Sequence, residues 1–405
     1  MGNLVVAQSG GPTAAINATL VGVISYAKES KQIETIYGAK YGIEGMLTGE
    51  FFDFSVWLEQ GGSLEQLLYT PSSALGSCRK KLEDGDETAI KTLIEQLKKK
   101  NIEYVLYIGG NDSMDTVAKL SKYCRQNGIY DLIVVGIPKT IDNDLVGIDH
   151  CPGFGSAAKY VATTCMELKK DSRVYNLPSV TIVEVMGRNA GWLTASSVLS
   201  RENGQEGVDL IYVCERPFSK EQLIEDIVEL QKKQPSVLVA ISEGLQEENG
   251  AYIAEQEQEE GMDGFGHPKL SGVGSVLEQY VREKLGCKVR SVELNVMQRC
   301  SGHITSKIDL IEAKTLGEKG CQYALEKKNG AMATLRRLEN EPYQVEYYAT
   351  DVEQVANREK KIPLVWITKE GNDVTREMVD YIKPLIQGEW KVPLKDGVPE
   401  YITLF

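Results

Sequence analysis

Residues 102–126 read IEYVLYIGGNDSMDTVAKLSKYCRQ. An apolar, β-branched and aromatic run over 102–108 predicts a buried strand, residues 109–112 a glycine-rich turn, and a helix follows to about Gln126. The same order opens the chain: a strand over 4–7, the turn Ser9-Gly10-Gly11-Pro12, then a helix carrying Ile16, Leu20, Val23 and Ile24. Between them, residues 86–100 place Ile90, Leu93, Ile94 and Leu97 at helical spacing and end in lysines that complement the helix dipole. Further strands are expected over 132–137, 180–185, 210–213 and 237–241, and helices over 190–199, 220–233 and 273–285. Residues 246–274 are polar and glycine-rich and read as a surface excursion. Such alternation requires parallel strands joined by crossover helices. The fold class expected is α/β, as two doubly wound Rossmann-like lobes with mostly parallel sheets and the active site in the cleft between them.

The chain has 405 residues, 42 % hydrophobic and 25 % charged, with a net charge of −13. An acidic protein is a poor partner for nucleic acid or an anionic membrane, so neither is expected. An anionic substrate would need cationic side chains gathered at one place. The eight cysteines contain no CxxC pair, and the histidines are His150, His267 and His303, which speaks against zinc and for a reduced, cytoplasmic setting. No apolar run approaches the ~18 residues that span a bilayer. The N-terminus lacks a charged leader pattern, and Val6 stands where a myristoylation signal wants Ser or Thr.

Ligands of open α/β sheets sit beyond the carboxyl ends of the strands, which singles out four turns. Gly10-Gly11 suits either a tight turn or backbone N–H groups approaching a phosphate. Gly109-Gly110-Asn111-Asp112-Ser113 has the same setting; Asn111 or Asp112 could cap the helix, or an acid could stand beside phosphate with a divalent cation between them. Pro138-Lys139-Thr140-Ile141-Asp142-Asn143-Asp144 puts a lysine and two aspartates on one turn, more than an Asx turn requires. Asp142 can act there as a general base, and Lys139 as a point charge for a transferring phosphoryl group. Met186-Gly187-Arg188-Asn189-Ala190-Gly191 places Arg188 to fork onto a phosphate or carboxylate; Arg79 and Arg299 are similar but less placed.

In chain order, Ser9-Gly10-Gly11, Leu75-Gly76-Ser77-Cys78-Arg79, Gly109–Ser113, Pro138–Asp144, Gly147-Ile148-Asp149-His150 with Gly153-Phe154, and Val183–Arg188 resemble the phosphofructokinase family. The resemblance covers roughly residues 1–310. It implies phosphoryl transfer to the 1-hydroxyl of fructose 6-phosphate with Mg²⁺. Asp142 matches the family's catalytic base, with Thr140 and Asp144 around it. Met186, Gly187 and Arg188 match its sugar-phosphate loop, Glu243 a sugar-hydroxyl contact, Arg299 a 6-phosphate contact, and Gly10 and Arg79 donor-phosphate contacts. Asp112 and Lys139 resemble the pyrophosphate-using members, since ATP-using members usually carry glycine at both. Asp112 adds bulk and charge where a nucleotide's α-phosphate would continue, while Lys139 neutralises pyrophosphate.

Alternatives are an ATP-dependent phosphofructokinase, a kinase of another sugar phosphate such as sedoheptulose 7-phosphate, or a non-catalytic sugar-phosphate-binding protein. The resemblance also implies a donor lobe over 1–153, completed by part of 297–345, a sugar-phosphate lobe over 154–296, and an extension over 341–405. Family members assemble through sites shared between subunits, which implies a homodimer or homotetramer. Asn111 departs from the family's magnesium-associated aspartate, Ser179 from a cross-subunit arginine for which Arg173 is a candidate substitute, and Val296 from a polar residue. Leu20 and Ile24 stand where effector-regulated relatives carry arginines, so no effector is expected at that helix.

Overall fold

The structure is a computed structural model and describes residues 2–83, 85–254 and 272–405. Most of the expected 246–274 excursion, with His267, lies outside the described residues; of the remainder, Gln246 and Tyr252 form an antiparallel bridge. The strands of the two large sheets are β1 (Gly2–Gln8), β2 (Ile33–Ala39), β3 (Phe51–Asp53), β4 (Ile102–Gly109), β5 (Ile133–Pro138), β6 (Ser179–Val185), β7 (Leu210–Tyr212), β8 (Ser236–Ser242), β9 (Lys288–Glu293), β10 (Ala331–Asn340) and β11 (Tyr343–Asp351); a small antiparallel ribbon pairs Leu394–Lys395 with Val398–Pro399.

Seven strands form one sheet in the order β11-β10-β5-β4-β1-β2-β3, and four form a second in the order β7-β8-β6-β9. Every pairing from β10 through β2 is parallel, as is every pairing of the second sheet; only the two edges of the first sheet, β3 and β11, pair antiparallel. β1 is buried along its whole length, as expected of a strand covered by helices on both faces. The chain leaves β1 toward β2 on one side and returns through β4 on the other. The point where strand order reverses therefore lies between the carboxyl ends of β1 and β4, where Gly10-Gly11 and Gly109–Ser113 emerge.

Two long helices show what holds the first sheet. Ile16–Glu29 and Lys307–Leu325 cross where a Cβ on Gly22 would lie 1.9 Å from Lys314 O and one on Gly317 would lie 2.1 Å from Thr19 O. Only glycine permits that approach. Leu20 and Ile24 belong to this core and are fully buried. Asp309, on the second of these helices, accepts from the Gly153 and Ser156 N–H groups at 2.8 and 2.9 Å. It thereby caps helix Phe154–Ser172, whose own N-cap, Gly153, has no side chain to do so.

The expected helix over 190–199 is the clearest departure. An α-helix covers only Trp192–Ala195 and continues as 3₁₀ turns over Ser196–Gly204, interrupted at Glu202 and Asn203, whose backbone is not helical. The Ser196 and Ser197 hydroxyls donate back to the Leu193 and Thr194 carbonyls at 2.6 and 2.7 Å, competing with the α-helical ladder. Residues after 340 are part of the architecture. β11 completes the first sheet, Val352 and Val355 join its core, and Ile362, Ile367, Met378 and Ile382 join the core behind β6 and β8.

Candidate active site

The strand-end turns of both sheets face one cavity of about 630 Å³. From the first sheet come Gly10, Arg79, Asn111, Asp112, Lys139, Thr140, Asp142 and Asp144; from the second come Met186, Arg188, Glu243 and Arg299. Gly187 does not line it; its N–H donates to Glu243 Oε1 at 3.1 Å. Its φ of +130° and the Ala190 carbonyl, 2.4 Å from where a Cβ would stand, admit glycine alone. Five cations (Arg79, Lys81, Lys139, Arg188, Arg299) meet five carboxylates (Asp112, Asp142, Asp144, Glu243, Glu359). In a chain of net charge −13, that is the local gathering of positive charge an anionic ligand needs.

The turn after β5 is set by Asn143, which adopts φ +55°. Asparagine tolerates this left-handed conformation, and its buried carboxamide is used on both sides. Oδ1 accepts from the Cys151 N–H at 3.0 Å and Nδ2 donates to Tyr381 Oη at 2.9 Å. Asp142 and Asp144 therefore both face the cavity. Burial raises the Asp142 carboxyl, opposed by Lys139 and Arg299. Asp144 is pushed up to about 7, by burial and then by the Asp142 charge. Lys139 Nζ donates to Gly11 O at 2.5 Å, and burial lowers it to about 8 against the pull of Asp142. Glu243 is raised to about 7, chiefly by burial.

Arg188 Nε is buried without a hydrogen-bond partner among the described residues, which leaves a donor of this cavity-lining arginine unmatched. Arg299 Nη1 stands 3.0 Å from where a Cβ on Gly11 would be, so the glycine turn leaves room for the guanidinium. Gln298, buried beside it, accepts from the Met186 N–H at 3.2 Å and joins the arginine's short helix to the loop after β6.

Sequence reasoning missed four cavity residues. Lys81 pairs with Asp112 at 2.7 Å, and its one signal was its place two residues after Arg79. Asn189 adjoins Arg188. Asn357 and Glu359 come from a stretch without a motif. Neither Asn111 nor Asp112 caps the helix, whose N-cap position is Gly110; instead Asn111 Oδ1 accepts from the Asn357 N–H at 2.7 Å and its Nδ2 donates to Arg358 O at 3.1 Å. Behind the turn after β5, His150 lies between Asp149 (2.8 Å) and Glu312 (2.6 Å). Burial disfavours its charge, but these carboxylates outweigh burial and raise it to about 9. Arg173 pairs with Glu206.

The phosphofructokinase family profile matches residues 3–325. A protein of Xanthomonas campestris named pyrophosphate–fructose 6-phosphate 1-phosphotransferase is 38 % identical over 410 residues, covering 100 % of this chain and 96 % of its own. A sulfofructose kinase of Alkalicoccus urumqiensis is 34 % identical over 364 residues, covering 89 % of this chain and 91 % of its own. The crystal structure of a pyrophosphate-dependent phosphofructokinase from Nitrosospira multiformis matches with a TM-score of 0.89 at 35 % identity, covering 99 % of this chain and 96 % of that one.

Proposed function

We propose a reaction from one premise: this chain belongs to the phosphofructokinase family. It moves a phosphoryl group from pyrophosphate to the 1-hydroxyl of fructose 6-phosphate, giving fructose 1,6-bisphosphate and phosphate. The exchange of one phosphoanhydride for a phosphate ester leaves the reaction open in both directions.

Asp142 accepts the 1-hydroxyl proton. Lys139, Arg79 and the Gly10 backbone spread the charge of the transferring group, in a chemistry that needs positioning and electrostatics more than covalent intermediates. Met186, Gly187 and Arg188 hold the sugar phosphate, with Thr140 beside the reacting oxygen, Glu243 on a sugar hydroxyl and Arg299 on the 6-phosphate. Asp144 supports Asp142 as a second charge on the same turn. The observation that carries the donor assignment is the joint presence of Asp112 and Lys139 in the cavity wall. Asp112, in the first turn of helix Asn111–Gln126, is held by Lys81 where a longer phosphate chain would run.

The oxygen donors here suit a hard cation such as Mg²⁺ carried mainly by the substrate's phosphates. Asp112 and Asp142 would hold it, and Asn111 would offer only the lone pair that Asn357 leaves free. When bound, the ion supplies charge neutralisation across the pyrophosphate oxygens.

The donor lobe is residues 1–153 with part of 297–345, a division supported by β10 pairing with β5; residues 154–296 form the sugar-phosphate lobe. A homodimer or homotetramer in the cytoplasm is the expected setting. The sulfofructose kinase relative favours a second acceptor reading, in which Arg299 and its neighbours hold a sulfonate instead of the 6-phosphate. Phosphorus NMR of the enzyme with Mg²⁺ tests both readings. Pyrophosphate with fructose 6-phosphate, and fructose 1,6-bisphosphate with phosphate, should converge on one mixture. Failure to convert either, with conversion of sulfofructose, would transfer the assignment to that acceptor.

A further inference from the structure

Residues 355–362 lie beyond the part of the chain that the family profile matches, yet they touch every bank of the cavity. At one end Asn357 donates through its N–H to Asn111 Oδ1 (2.7 Å) and through Nδ2 to Asp115 Oδ1 (2.9 Å). In the middle, Glu359 bridges Leu145 as an antiparallel partner, and the Lys360 N–H donates to Asp144 O at 2.7 Å. The buried Lys360 ammonium donates to Asp149 O at 2.7 Å and Ile148 O at 3.3 Å. At the far side Glu359 Oε1 accepts from Asn189 Nδ2 at 2.7 Å, next to Arg188. Val355 is anchored in the core of the first sheet and Ile362 in the core behind the second. One strap thus joins the donor-side helix start, the turn that bears Asp142, and the sugar-side loop.

This arrangement explains the asparagine at 111. A carboxamide carries one accepting atom and one donating atom, and Asn111 engages each with the strap, Oδ1 toward the Asn357 N–H and Nδ2 toward the Arg358 carbonyl. An aspartate would face that carbonyl with a second acceptor and lose the bond. We propose that Asn111 is a positioning residue whose carboxamide latches residues 357–360 across the cavity mouth, and that the latched strap fixes the donor turn relative to the Arg188 loop. The kinetic part of this inference rests on the phosphotransferase reading above; the latch itself does not.

Hydrogen exchange on the full chain without substrate tests the latch alone. Asn111→Asp should speed exchange of the amides of residues 357–362 roughly tenfold or more, while β1 and β4 keep their protection. Asn111→Ala, which adds no charge, should do the same and covers the case in which Asn111→Asp does not fold. Steady-state kinetics tests the positioning. Either Asn111 variant should raise KM for fructose 6-phosphate as well as for pyrophosphate, and Glu359→Ala should raise KM for pyrophosphate although its hydrogen bond is on the sugar side. The double variant should be little worse than the worse single one, because both release the same strap. In Glu359→Ala, which leaves Asn111, Asp112 and Asp142 untouched, the Mg²⁺ concentration for half-maximal rate should stay within about twofold of wild type.

Unchanged exchange in 357–362 would overturn the latch. Effects on KM confined to each residue's own bank, or a change only in the Mg²⁺ requirement, would overturn the positioning role and return Asn111 to metal binding. An enzyme that turns over no pyrophosphate would refute the assigned reaction, and the exchange result would still decide the latch.

Discussion

Asp142→Asn isolates the proton transfer from everything else the site does. The substitution keeps the shape of the side chain, and the turn is held by bonds it does not touch: Asp142 N–H to Thr140 Oγ1 at 3.1 Å, and Asn143 to Cys151 and Tyr381. What disappears is the proton acceptor, and a positioned general base is worth about 10²–10⁴ in rate. That corresponds to about 3–5 kcal/mol on the barrier. Binding should move the other way. Lys139, Arg299 and Arg188 all act on the Asp142 charge, so its loss leaves three cations facing the cavity with less compensation. Anionic substrates should then bind as well as before or better. Lys139 also loses the charge that supports its protonation, so the comparison belongs at pH 7, below its value of about 8. Initial rates with both substrates varied should show kcat reduced about a thousandfold and neither KM raised. A kcat within tenfold of wild type, or a loss carried wholly by KM, would refute Asp142 as the base. The first outcome would favour a binding protein with incidental turnover.

The Asp142–Asp144 pair and Lys139 should bracket the activity: the acid limb of kcat/KM reflects this pair of carboxyls, both raised by burial and Asp144 to about 7, and the alkaline limb reflects loss of the Lys139 proton near 8. Asp144→Asn removes the like charge and should move the acid limb to lower pH, so an unmoved limb would separate Asp144 from the base. Asp112→Gly with Lys139→Gly should raise kcat/KM for ATP by at least about tenfold, the effect of relieving ~1.4 kcal/mol of repulsion; no gain would show that these two side chains do not set donor choice. His150, raised to about 9 from 6.5, stabilises the fold fully below about pH 6.5 and progressively loses that contribution as pH rises through 9. Thermal unfolding should therefore show a falling midpoint between pH 7 and 9.5 in wild type. His150→Gln should remove most of that fall and cost about 3–5 kcal/mol at pH 7, because Glu312 is left buried without its cation; an equal fall in both proteins would refute the assignment.

The parts legible in the sequence are those whose cause is local. A strand, its glycine turn and the helix after it lie within 25 residues at 102–126, and the apolar run and the glycines report them directly. The helix expected over 190–199 failed for a reason the same residues contained: serine hydroxyls that bond back to the chain compete with the helix they sit in. The non-local parts left no pattern. Asp309 caps a helix that begins more than 150 residues earlier, and a buried aspartate on a helix face does not announce its partner. The place of Lys139, Asp142 and Arg188 on the cavity wall was legible because ligand sites of open α/β sheets lie on strand-end turns. Asn357 and Glu359 were not, since their hydrogen bonds at the cavity join them to residues 246 and 170 positions away. Asn143 was hidden between two aspartates, although its left-handed backbone is what turns both carboxylates toward the cavity.

Whether this site uses pyrophosphate is decided by initial rates with fructose 6-phosphate and Mg²⁺, comparing pyrophosphate with ATP at equal subsaturating concentration. The arrangement of Asp112, Lys81 and Lys139 predicts that pyrophosphate is preferred by at least about a hundredfold, as expected if a misplaced charge on the longer donor raises its barrier by ~3 kcal/mol. Equal rates, or a preference for ATP, would contradict it while leaving the fold and the role of Asp142 in place.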